Sequence, residues 1–161
     1  MSAGITGALA VVRRELELLA PLFQEAVERA LRDCWGQGID AYVYETYRTA
    51  ELQALYYARG RTLIPPVKRV TNASNNLYSW HGYGLAVDVI SKAYGWNRPD
   101  SWFTEVAKAF KTQNCRWGGE WIMKDLPHFQ WGRCKPSPSD RARQILQTDG
   151  VEGVWKAVGA A

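Results

Sequence analysis

Ser79-Trp80-His81-Gly82-Tyr83-Gly84-Leu85-Ala86-Val87-Asp88 places two metal-capable side chains, His81 and Asp88, seven residues apart. On an α-helix that spacing gives a shared face but a separation of about 10 Å along the axis, too far for one ion. On an unbroken strand an odd separation puts the two side chains on opposite faces. A turn followed by a strand brings both toward one point, and Gly82 and Gly84 permit the turn. The strand is expected from Leu85 to Ile90. Asp88 then shares a face with Ala86 and Ile90, and Ala86 is small enough to leave room for an ion.

The chain has two histidines, and the second lies in Lys124-Asp125-Leu126-Pro127-His128-Phe129. Pro127 disfavours helix at Leu126, so this segment is expected to be extended and stiff. It can present His128 as a ligand while holding Asp125 close by. Two imidazoles and two carboxylates suffice for a zinc hydrolase: metal ligands, an activated water and a base to take its proton. Spacing alone leaves a second account open, in which each histidine is a satisfied structural residue and the aspartates cap turns.

The surrounding pattern mixes helices with a few strands. Leu9, Val12, Leu16, Leu19, Phe23, Ala26, Ala30 and Cys34 form a helical stripe, with a break expected near Ala20 because Pro21 follows. Gly36 and Gly38 close that helix. Ile39 to Thr46 alternates and reads as a strand, and Thr49 to Arg59 as a second helix stopped by Gly60. Residues 61–80 form a long loop with little periodicity. A helix is expected from Trp102 to Gln113, and a Gly-Gly turn with a strand from near His128 within Trp117 to Trp131. Residues 137–161 read as two short helices separated by Asp149-Gly150. This order predicts an α+β fold in one domain spanning 1–161.

Composition narrows the partners. The 161 residues carry a net charge of +4 and eight tryptophans. A basic surface favours an anionic partner, and clustered aromatics suit a cleft for sugars or peptides. No basic run or nucleic-acid motif occurs, so nucleic acid is not expected as a partner. The apolar stretch from Ile5 to Val12 precedes Arg13 and Arg14 rather than following a positive segment. Neither a signal peptide nor a membrane span is therefore expected. Three cysteines (Cys34, Cys115 and Cys134) form no paired framework and read as small buried hydrophobes. Cys134, six residues past His128, is not needed as a ligand.

Ser-x-His-x-x-Gly-x-Ala-x-Asp followed by Asp-x-x-His resembles the zinc peptidases of the D-Ala-D-Ala carboxypeptidase and VanY type. Within that family the chain is most similar to phage endolysins that act as L-alanyl-D-glutamate peptidases. Further blocks carry the likeness: Glu45-Thr46-Tyr47-Arg48-Thr49 with Gln53, Tyr56 and Arg59-Gly60-Arg61-Thr62, then Thr71-Asn72-Ala73, then Trp117-Gly118-Gly119-Glu120-Trp121. Together they span about residues 15–132. The tail, about 137–161, carries no assignable motif. The resemblance implies a small, mainly antiparallel sheet flanked by helices, the Hedgehog/DD-peptidase-like fold.

It also implies roles. His81, Asp88 and His128 would bind Zn²⁺, with Asp125 as catalytic base and Glu120 as a less favoured alternative. Arg48 would hold a substrate carboxylate or the oxyanion, as opposed to forming a surface ion pair at a helix start. Ser79 would orient His81 or the substrate. Tyr83 would wall the groove or lie in the core, and Gln53 would face substrate or serve structure. The expected partner is the peptidoglycan stem peptide, cut by a monomer. The enzyme would be held in the host cytoplasm until a holin-type pore releases it to the wall. Rival readings are a D-Ala-D-Ala carboxypeptidase or dipeptidase of the same fold and a non-catalytic metal-binding domain. Arg48, Arg59, Arg61, Lys68 or Arg69 could close one end of a carboxypeptidase cleft.

Overall fold

The computed structural model describes residues 11–59, 61 and 71–161. The start of the helical stripe at Leu9, most of the apolar N-terminal stretch, the Gly60 stop and residues 62–70 of the long loop, including Lys68 and Arg69, lie outside the described residues. Four α-helices are described: α1 (Pro21–Gly36), α2 (Ala50–Ala58), α3 (Asp100–Thr112) and α4 (Asp140–Ala157). Four strands, β1 (Ala41–Glu45), β2 (Ala86–Ser91), β3 (Cys115–Trp117) and β4 (His128–Trp131), form one sheet in the order β1-β2-β4-β3. Every neighbouring pair is antiparallel. This is the expected α+β architecture.

Local chemistry explains the boundaries. Pro21 occupies the first turn of α1, where its missing N–H costs nothing. The stripe therefore does not run through it as one helix. Leu16–Leu18 form a single 3-10 turn, and Ala20 is extended, as the residue before a proline tends to be. The Ala20 N–H freed in this way donates to the Gly84 carbonyl at 3.0 Å. Thr49 caps α2 by accepting from the Leu52 N–H. In α4, Gly150 at φ 72° breaks the helical path, so the element is two helices joined at a kink. β3 was not anticipated, since three residues are too few to show alternation.

The pleat sorts the sheet into two faces. Phe110 of α3 stacks on Phe129 at 4.2 Å, and Phe23 of α1 meets Trp131 edge-on at 6.3 Å. Val87, Val89, Phe129 and Trp131 thus face α1 and α3 and build the core. Ala86, Asp88 and Ile90 of β2 point to the other face, together with His128 and Gln130. The chain buries its apolar positions on one side and spends the polar ones on the other.

The tail has a structural task that its sequence did not reveal. Trp155 Nε1 donates to the Tyr83 carbonyl at 2.7 Å, and Trp131 Nε1 donates to the Val158 carbonyl at 2.7 Å. Val154 and Ala160 are fully buried. The turn before β2 is therefore held between the Leu16–Leu18 segment and α4. Gly84 sits at that junction with φ 68°, and a Cβ there would lie 2.7 Å from the Leu18 carbonyl oxygen. For Gly84→Ala we expect a loss of at least about 2 kcal/mol, combining left-handed strain with the clash. Urea unfolding should show a lower midpoint at unchanged slope, and an unaltered midpoint would show that the turn is not so constrained.

Candidate metal centre

Asp88 of β2 lies directly opposite His128 of β4 in the antiparallel register. Side chains at such opposed positions project together from the same face. The turn Trp80–Tyr83 delivers the third group from above the sheet. His81 Nε2 is 3.3 Å from Asp88 Oδ1, and His128 Nδ1 is 3.7 Å from the same oxygen. One ligand atom from each residue lies within 4.8 Å of the others. Both histidines are buried, and their rings meet at 5.2 Å.

The partners of the far ring nitrogens fix which nitrogen is free. His81 Nδ1 lies 3.0 Å from the Thr46 carbonyl oxygen. A carbonyl can only accept, so Nδ1 carries the hydrogen and the Nε2 lone pair faces Asp88. His128 Nε2 lies 2.8 Å from Gln130 Oε1. The Gln130 amide nitrogen donates to the carbonyls of Lys135 (2.7 Å) and Cys134 (3.4 Å), which turns its oxygen toward His128. Nδ1 of His128 is thereby left to coordinate. Each ring is held through its far nitrogen and turns the other toward Asp88 with restricted rotation, as metal-binding histidines require.

The electrostatics favour positive charge where the three groups meet. Burial alone would raise the Asp88 carboxyl, but when the rings are protonated the His81 charge and hydrogen bonds from both histidines hold it well below the usual range. Burial works against a charged His128 ring, yet the Asp88 hydrogen bond and the Asp125 charge raise it above the ordinary imidazole value. Two nitrogens and one carboxylate oxygen are a donor set suited to a divalent first-row metal with an open position left over.

Asp125 stands at the rim. Its side chain is half exposed, and Oδ2 lies 3.9 Å from His128 Nδ1. Burial and the nearby Asp88 charge raise its carboxyl above the ordinary value. Its backbone is tied down by a bond from Asp125 N–H to the Gly118 carbonyl at 2.9 Å, while Trp117 Nε1 holds the Leu126 carbonyl at 2.7 Å. A Cβ on Gly118 would sit 2.5 Å from the Asp125 carbonyl oxygen and 3.1 Å from His128 Cβ. The Trp-Gly-Gly turn thus fits under the Asp125–His128 segment because Gly118 has no side chain.

Arg48 lies on the opposite side of Asp88, and a β-bulge puts its partner in place. Val43 pairs with Val89, but Glu45 and not Tyr44 faces Asp88, because β1 carries one extra residue there. Glu45 is buried and accepts from Arg48 Nε at 3.0 Å and from Nη2. Arg48 Nη2 also lies 3.8 Å from Asp88 Oδ2, and Nη1 donates to Gln53 Oε1 at 2.9 Å. The Arg48 backbone N–H donates to the His81 carbonyl at 2.9 Å.

The remaining candidates fall outside this cluster. The Gln53 amide is engaged at both ends, accepting from Arg48 and donating to the Ala73 carbonyl at 2.7 Å. Ser79 Oγ accepts from the His81 N–H and caps the turn. Tyr83 is fully buried, and its hydroxyl donates to the Leu77 carbonyl at 2.8 Å. Glu120 pairs with Lys111 at the surface. All three cysteines are free and buried, and burial pushes the Cys134 thiol up to about 12. Two residues of the site had drawn no role from the sequence, Gln130 and Glu45. His128-x-Gln130 puts both side chains on one strand face and could have pointed to the first. Glu45 depends on the bulge, which left no local signal.

Comparison with known proteins shows the family. The family model described as D-alanyl-D-alanine carboxypeptidase matches residues 72–131, the stretch that holds His81, Asp88, Asp125 and His128. The chain is 31% identical over 125 residues to the peptidoglycan L-alanyl-D-glutamate endopeptidase CwlK of Bacillus subtilis, covering 70% of this chain and 72% of that protein. The chain belongs to the D-alanyl-D-alanine carboxypeptidase family of metallopeptidases. It is also 35% identical over 115 residues to an L-alanyl-D-glutamate peptidase of a Listeria phage, covering 66% of this chain but 36% of that protein. Among solved structures, the L-Ala D-Glu endopeptidase ChiX of Serratia marcescens shares the family fold. Its TM-score is 0.56 at 22% identity, over 79% of this chain and 94% of that one.

Within this family frame, Gln130 is the residue whose loss should be felt at the metal without touching it. Gln130→Leu should weaken divalent-metal binding about 10- to 100-fold in chelator competition while the protein remains folded by circular dichroism. Unchanged affinity would mean that the glutamine does not orient His128.

Proposed function

We propose that this protein is a zinc-dependent peptidoglycan hydrolase that cuts the L-alanyl-D-glutamate bond of the stem peptide. The observation that carries the proposal is the buried His81–Asp88–His128 cluster with Asp125 at its rim, in a chain similar to two peptidases named for that bond. His81 Nε2, Asp88 Oδ1 and His128 Nδ1 would hold the metal. When bound, zinc supplies Lewis acidity, making water nucleophilic near neutral pH and polarising the scissile carbonyl.

The chain's own residues do the rest. Asp125 accepts the proton of the attacking water and passes it to the departing amine of D-glutamate. Its half-exposed position at the rim lets it reach both. Arg48, buried and shared between Glu45 and Asp88, keeps a positive charge beside the ligand carboxylate and holds it oriented. The same charge lowers the cost of the oxyanion as it develops over the site. Ser79 and Tyr83 stabilise the turn that presents His81, and Gln53 steadies Arg48 from behind.

The phage relative supports a biological setting for this reading. An enzyme of this kind acts as an endolysin, held in the host cytoplasm as a monomer until a holin-type pore admits it to the wall. Among the described residues no helix is long and apolar enough to cross a membrane. A carboxypeptidase acting on terminal D-alanine is the second reading, favoured by the description of the matching family model.

Mass spectrometry of fragments released from purified peptidoglycan separates the two. We expect chelator-sensitive, zinc-restored release of stems beginning at D-glutamate, with L-alanine left on the glycan. Loss of terminal D-alanine alone would move the assignment to the carboxypeptidase. Asp125→Ala should retain zinc while turnover falls about 10²- to 10⁴-fold. If zinc were lost along with activity, Asp125 would be a ligand or support instead of the base.

A further inference from the structure

The metal-bearing face of the sheet continues outward into an exposed patch of aromatic and cationic groups. Tyr42 pairs with Ile90, two residues along β2 from Asp88 and on the same face. Two residues of strand place Tyr42 about 7 Å from the Asp88 position. The Arg14 guanidinium lies over both tyrosine rings of β1, 4.9 Å from Tyr44 and 5.8 Å from Tyr42, so the two rings share that side. Arg14 Nε is itself anchored on the Tyr44 carbonyl at 3.0 Å. Trp96 then meets Tyr44 edge-on at 4.9 Å and keeps 50% of its surface exposed.

Trp96 is held out by a built turn. Asp40 accepts from Ser91 Oγ at 2.6 Å and from the Ala93 N–H at 2.9 Å. Ser91 and Gly95 exchange both backbone hydrogen bonds, which closes the turn just ahead of the tryptophan. Tyr94, 63% exposed, projects from the same turn with Arg98 over its ring. An indole left half in water on a rigid support, bordered by guanidinium groups, marks a binding surface more than leftover apolar area.

The substrate chemistry says what fits there. This step rests on the peptidoglycan reading above. The L-alanine on the amino side of the scissile bond is joined to the lactyl group of a muramyl sugar. One residue and the lactyl unit reach about 7 Å when extended. A sugar must therefore lie close to the metal on one side of the cleft. Sugar C–H faces stack on aromatic rings, and their hydroxyl and amide carbonyl oxygens accept from guanidinium donors. We propose that Tyr42, Tyr44 and Trp96, with Arg14, form a saccharide subsite that seats the muramyl end of the glycan. The enzyme then reads sugar and peptide together.

The test compares a disaccharide-tetrapeptide with the sugar-free tetrapeptide of the same sequence, using the zinc-loaded full chain. Trp96→Ala should lower kcat/KM for the disaccharide-tetrapeptide about tenfold, mostly through KM, and leave the free peptide unchanged. Equal loss on both substrates, or loss on neither, would overturn the subsite. A second readout does not need catalysis. N-acetylglucosaminyl-N-acetylmuramic acid alone should shift the Trp96 indole N–H resonance, identified by its absence in Trp96→Phe. No shift would overturn the proposal even if the peptide were cut. A shift in protein that cuts neither substrate would uphold the subsite while defeating the peptidase reading. An indole resonance that moves only with protein concentration would show the patch to be a contact between copies of the chain, against the proposal.

Discussion

The antiparallel register of β2 and β4 is the constraint from which the site follows. Asp88 and His128 face each other because Val87 pairs with Phe129, and those two are fixed by the core beneath them. A slip of one residue would move Asp88 or His128 to the helix face and expose the core side chains instead. Packing on one face therefore sets coordination on the other. The bulge in β1 extends the same logic, since it turns Glu45 toward Asp88 and gives Arg48 a buried partner.

His81, the third member of the cluster, comes from outside the sheet and needs its own support. His81 rides on a short turn held by the Ala20 N–H and by Trp155, which bonds the Tyr83 carbonyl. Thr46 grips the ring from the side. Each contact is a modest hydrogen bond of about 1 kcal/mol. Together they draw the segment before α1, the end of β1 and the final helix onto one loop. Elements remote in sequence are thereby committed to the position of a single imidazole.

How much of this was legible in the sequence depended on how local the signal was. The convergence of His81 and Asp88 could be read because glycines on either side of Tyr83 signal a turn and Ala86-Val87-Asp88 a strand, both within a few residues. The nearness of Asp125 to His128 could be read because Pro127 stiffens the segment before His128. Gln130 was within reach, since a spacing of two on a strand gives a shared face, but a glutamine carries no metal signal of its own. Glu45 and the three-residue β3 were not legible, because a bulge and a strand pairing are made by the partner strand. The same holds for Trp155, whose role depends on where a helix 70 residues downstream comes to rest. Tyr83 shows the converse: a motif aromatic beside a ligand proves to be a core residue with its hydroxyl already bonded.

As proposed, His81, Asp88 and His128 form a nitrogen-and-oxygen site from which sulfur is excluded. X-ray absorption at the zinc edge of the loaded protein measures this directly. The account predicts two imidazole nitrogens and carboxylate or water oxygen at about 2.0–2.2 Å, with no sulfur shell. A sulfur distance near about 2.3 Å would contradict it, bringing a buried cysteine into the coordination sphere.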